Sequence, residues 1–105
     1  MRNTMAAVIG SLVLAHNAMA DERLDGLKKM NTDICMQIGA EAAGAPAEGK
    51  LTAPYCNCVT NAYWDSVPKS EVQQLMTDGQ SPGIGANLKA RMEAAKKMCK
   101  KKLEF

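Results

Sequence analysis

Four cysteines, Cys35, Cys56, Cys58 and Cys99, restrict what this 105-residue chain can fold into, because the middle two are separated by a single residue. Side chains two apart on a helix point about 200° from each other, so a helical Cys56-Asn57-Cys58 sends its sulfurs out on different faces. The pair then does not close on itself. Each sulfur reaches a neighbouring helix, with Cys35 on one side and Cys99 on the other, and the C-x-C helix becomes the hub. Helix geometry alone leaves open whether Cys35 takes Cys56 or Cys58. An even set of cysteines in a short chain is the usual sign of structural bridges formed in an oxidising compartment. A domain this small buries a modest core, and each bridge is expected to add about 2 to 4 kcal/mol by restricting the unfolded chain.

The compartment is also indicated by the amino terminus. Arg2 lies in a short positive stretch, Met5 to Ala15 is an apolar run too short to span a bilayer, and Ala18-Met19-Ala20 places small residues where a signal peptidase needs them. Residues 1–20 therefore read as a cleaved signal peptide, cut between Ala20 and Asp21. Residues 21–105 remain as a single helical four-cysteine domain. The expected location is a bacterial periplasm or the exterior.

Helical periodicity runs through that domain. From Asp21 to about Ala43 the residues Leu24, Leu27, Met30, Ile34 and Ile38 recur at threes and fours, with Cys35 beside the stripe. Gly44-Ala45-Pro46 is the expected stop. A second helix is predicted from Thr52, as N-cap, to about Asp65 or Ser66, with Tyr55, Val59, Ala62 and Tyr63 on one face. Ser70-Glu71-Val72-Gln73 has the form of a capping box for a short third helix that stops at Asp78-Gly79. The stretch from Gly79 to Gly85 reads as a bend. From about Gly85 to Leu103, the residues Leu88, Met92, Ala95, Cys99 and Leu103 form one stripe, which turns Cys99 to the core. No stretch alternates with period two. The predicted fold is all-α, a small disulfide-stapled bundle of three longer helices plus one short helix.

The chemistry open to such a domain is narrow. His16 is the only histidine and falls in the leader, so residues 21–105 hold no imidazole for a nucleophilic dyad, a zinc site or covalent haem. Gly79 to Gly85 lacks the Lys-Ser/Thr pair of a phosphate loop. No catalytic residues, metal ligands or cofactor are assigned. A soft copper(I) site is argued against by spacing. Met30 and Met36, like Met92 and Met98, are six residues apart and do not converge on one ion.

Charge is unevenly placed. The last helix carries Lys89, Arg91, Lys96, Lys97, Lys100, Lys101 and Lys102 against Glu93, while the rest of the domain is acidic and the whole chain is only +2. Lys96, Lys97, Lys100 and Lys101 are candidate contacts for a protein partner and for weak adhesion to an anionic membrane surface, although a solvated helix face is the plainer explanation. Nucleic acid is not expected, since no aromatics are interleaved with the lysines. Tyr63 and Trp64 point about 100° apart, so one of the two is expected near the surface as a contact for a protein partner and the other in the core.

These features give the expectation of a small exported, non-enzymatic binding module: an inhibitor, an immunity protein or an accessory subunit of an envelope complex. The competing expectation is a periplasmic thiol-redox or copper(I)-handling protein that uses Cys56 and Cys58.

Overall fold

The computed structural model describes residues 22–105. The expected signal peptide, its expected cleavage point after Ala20, and Asp21 lie outside the described residues. The described residues form four helices and no strand: α1 over residues 22–38, α2 Thr52–Ser66, α3 Lys69–Asp78 and α4 Pro82–Lys102. The fold is the all-α, disulfide-stapled bundle expected.

Two of the four helices share the core. On α2 the buried residues Tyr55, Cys56, Val59, Thr60 and Tyr63 recur at threes and fours, and Val67 just beyond the helix joins them. Ala95 and Cys99 of α4 pack against that face, with Met92 and Leu103 half-buried beside them. The two helices run antiparallel. Tyr55, near the start of α2, stacks edge-on against Phe105 beyond the end of α4, with ring centroids 5.6 Å apart. Burying a side chain of this size is worth about 1.5 to 3 kcal/mol, so the α2–α4 seam supplies most of the apolar stabilisation.

Helix ends differ from the sequence expectations for local reasons. Helix α1 stops at residue 38 rather than near Ala43, because Gly39 takes a left-handed φ of +58° and begins a single 3-10 turn, Gly39–Glu41. Thr52 is the first residue of α2 and not its cap. A 3-10 turn over Gly49–Leu51 leads straight in, so Leu51 in the capping position is already helical and no side chain closes the end. Pro68 fixes the end of α2 and the start of α3: it holds Val67 extended, then caps α3 itself, with its carbonyl accepting from Glu71 and Val72. Ser70 is thus inside the helix and the capping box does not form. Gly79 ends α3 at φ +76° as predicted.

Helix α4 starts three residues earlier than expected, because Pro82 suits the first helical position and Ser81 precedes it in extended conformation. Only Gly79 to Ser81 is a bend, and Gly83 and Gly85 lie within the helix. Gly83 has a packing reason, since a Cβ there would stand 2.7 Å from Cδ of Glu71.

Candidate functional site

Cys56 of α2 is bonded to Cys35 of α1, and Cys58 to Cys99 of α4. The sulfurs of the C-x-C pair leave on opposite sides of α2, and the pairing left open by sequence is settled. Cys56 is 1% exposed and Cys99 0%, and no described cysteine is free. The C-x-C helix is therefore a structural hub. Use of Cys56 and Cys58 for redox or copper chemistry would require opening bonds that hold both flanking helices.

The two flanks of the hub are built differently. On the α4 side the disulfide is embedded in packed side chains. On the α1 side it continues as a row of polar contacts: the Thr32 hydroxyl donates to Oγ1 of Thr60 at 3.0 Å, and the Trp64 indole N–H donates to Oδ1 of Asn31 at 2.9 Å. Cys56, Thr60 and Trp64 are four residues apart on one edge of α2, and they meet Cys35, Thr32 and Asn31 in reverse order on α1. At the amino-terminal end of α1, Arg23 donates to the Met76 carbonyl at 3.3 Å.

That polar edge decides where the apolar stripe of α1 faces. Ile34 and Cys35 are adjacent in sequence and hence about 100° apart around the helix. Docking through Cys35 turns the stripe away from the bundle. Met30 is 56% exposed, Ile34 48% and Ile38 48%, while Leu24 and Leu27 are half-buried. The stripe expected to build the core is thus largely turned to solvent, and Cys35 of α1 packs against the core.

Of the aromatic contact candidates, Tyr63 is 3% exposed and is the one that takes the core position, so it offers no surface contact. Trp64 is half-buried and stands edge-on to Tyr63 at 5.2 Å. Its indole N–H is already engaged by Asn31. Lys97, Lys100 and Lys101 point to solvent, Lys96 is half-buried, and the Lys100 ammonium sits 5.9 Å above the Phe105 ring. None of the four is in an ion pair with a described carboxylate.

A charged contact unforeseen in the sequence ties α3 to α4. Arg91 donates through both terminal nitrogens to the two carboxylate oxygens of Glu71, at 2.7 and 3.1 Å. That hydrogen bond holds the Glu71 carboxyl below the usual glutamate range and raises the Arg91 guanidinium. Burial pushes the nearby Tyr63 phenol up. The link spans 20 residues of sequence and no local pattern marks it. The polar edge of α1 left a clearer signal, because Lys28, Asn31 and Thr32, which stand seven, four and three residues before Cys35, are all polar.

Among the described residues no group of three His, Cys, Asp or Glu side chains is placed to hold a metal ion, and no helix is long and apolar enough to cross a membrane. Two disulfides in a chain this short point to an oxidising, extracellular compartment. No family model, curated protein or solved structure matches this chain.

Proposed function

We propose that the chain is a small exported binding module, acting in a periplasm or outside the cell after cleavage between Ala20 and Asp21, and doing no chemistry of its own. The inhibitor, the immunity protein and the envelope-complex subunit share this mode of action: a rigid surface recognises another protein. One observation carries the reading. The Cys35–Cys56 disulfide fixes α1 to the hub helix α2 with its apolar residues Met30, Ile34 and Ile38 turned to solvent. An apolar row held open on a covalently pinned helix costs solvation free energy in the isolated protein, and that cost is recovered by covering it. The contact surface is therefore α1, with the half-buried Trp64 at its margin. The lysines of α4 are a solvated face that favours approach to anionic surfaces.

Native mass spectrometry of the protein recovered from a periplasm, purified without a metal-affinity step, tests this. The expected species is metal-free, begins at Asp21, weighs about 4 Da less than the reduced chain, and travels in a complex that Ile34→Glu removes. Free thiols or a bound copper ion would put Cys56 and Cys58 at the centre instead. A monomer indifferent to Ile34→Glu would contradict the choice of surface.

A further inference from the structure

We propose that the lysine face of α4 docks the protein on a bilayer that carries anionic phospholipid, with the helix lying among the headgroups. This is a second surface, independent of the reading of α1, and its use leaves α1 open to a protein partner. Viewed down the axis of α4, Lys89, Lys97, Lys100 and Lys101 fall within about 120° of one another, on the side opposite Ala95 and Cys99. All four are exposed, and Lys96 stands half-buried at the rim, where a Cβ on Gly44 would lie 3.9 Å from its Cδ. From Lys89 to Lys101 the face covers about 18 Å of helix.

Helix stability alone does not account for this face. The negative end of α4 is served by Lys100, Lys101 and Lys102 in its last turn, whereas Lys89, Lys96 and Lys97 lie further back. Lys96 and Lys97 precede Lys100 and Lys101 by four residues, a spacing at which like charges repel. Glu93 is the only carboxylate of α4, and among the described residues neither it nor any of these lysines is in an ion pair. A field of negative charge meeting the whole face relieves that repulsion.

The distribution of charge aims the face. Helix α4 carries seven cations and one carboxylate, while residues 22–81 carry five cations and eight carboxylates, so an anionic surface turns α4 towards itself. The residue types then favour a bilayer over a folded acidic partner. Arginine grips a carboxylate or phosphate in fixed geometry, and Arg91 is already engaged by Glu71. What remains are lysine point charges on a ridge with exposed Ala90 and Ala94 between them, which suits a diffuse field rather than one shape. Met98 borders the face three residues before Lys101 and is 53% exposed. The boundary between headgroups and acyl chains takes up such an apolar side chain, and a soluble polyanion does not.

Each lysine brought to an anionic bilayer strengthens binding by roughly fivefold, so docking is reversible and salt-sensitive. Flotation of the purified oxidised protein with vesicles of equal parts phosphatidylglycerol and phosphatidylcholine reads it. Binding is expected at about 0.01 M salt and should fall by about tenfold or more at about 0.15 M, as the Debye length shortens from about 30 to about 8 Å. Phosphatidylcholine alone should not bind. Lys97→Glu with Lys101→Glu should weaken binding by about a hundredfold or more, Met98→Ser by about threefold, and Ile34→Glu should leave it unchanged. All these positions are exposed, and an unchanged helical spectrum with intact disulfides shows that the variants fold. No binding at low salt, equal binding to phosphatidylcholine, or binding that survives the lysine reversal would overturn docking through α4. Binding lost with Ile34→Glu but kept in the lysine variant would assign the bilayer to α1 instead. Dextran sulfate bound as tightly as the vesicles, with Met98→Ser neutral, would overturn the bilayer as the occupant.

Discussion

Helices α1 and α4 flank the same hub and are each bonded to it by one cysteine of the C-x-C pair, yet they are held by different forces. Helix α4 buries Ala95 and Cys99 in a core shared with Tyr55, Val59 and Tyr63, and its disulfide runs from Cys99 in that core to the half-buried Cys58 at its edge. Helix α1 has no fully buried residue among those described. It is attached by its disulfide, two side-chain hydrogen bonds to α2 and one to the Met76 carbonyl. On one flank the covalent bond reinforces packing. On the other it stands in for most of the packing, and Met30, Ile34 and Ile38 of α1 are left turned to solvent.

Four perturbations probe that contrast. Replacing Cys58 and Cys99 together by Ser should have the largest effect. It releases a bridge spanning 41 residues of sequence and leaves a buried hydroxyl in the core. The unfolded-chain restriction alone is about 4 kcal/mol, and denaturant titration should show the whole bundle weakened. Cys35→Ala with Cys56→Ala should cost about 3 kcal/mol in the same experiment, and that cost falls on the docking of α1 and not on the α2–α4 pair. Here the transition should broaden or split, because α1 detaches before α2 and α4 separate. A single sharp transition in both variants would break the distinction between the flanks.

Thr32→Val removes one hydrogen bond from the α1 edge and leaves the Thr60 hydroxyl short of a partner, so about 1 kcal/mol should be lost from the docking of α1 alone. The smallest effect concerns α3. Because Arg91 lowers the Glu71 value, the pair contributes fully above the ordinary glutamate value of 4.5 and is lost as the pH falls through the lower folded value. Glu71→Gln should abolish that acid-side loss, seen as a flattened pH dependence of the thermal midpoint. An acid limb unchanged in the variant would place its origin in other carboxylates.

What the sequence revealed follows the same division. Periodicity found all four helices, and the geometry of Cys56-Asn57-Cys58 found the hub, because both are local properties of a helix. The α4 stripe pointed inward as its spacing says, with Cys99 fully buried, although Leu88 at its start remains exposed. The α1 stripe misled, because apolar spacing tells which residues share a face and not what that face meets. Cys35 lay one residue off the stripe, and a covalent bond there fixed the rotation of the whole helix. Helix starts were misjudged at Thr52, Ser70 and Gly85 for a related reason: Pro68, Pro82 and the 3-10 turn before α2 set backbone angles that override side-chain capping signals. The Glu71–Arg91 contact, and the Gly83 that makes room for it, depend on how α3 folds back on α4. Nothing within either helix announces them.

Residue-resolved hydrogen exchange on the native protein and on the Cys35→Ala, Cys56→Ala variant tests most directly whether α1 is held by its disulfide rather than by the core. The prediction is that amides of α1 lose protection in the variant while those of α2 and α4 exchange nearly as slowly as before. Protection of α1 that survives the loss of the bridge, or collapses only together with that of α4, would contradict it.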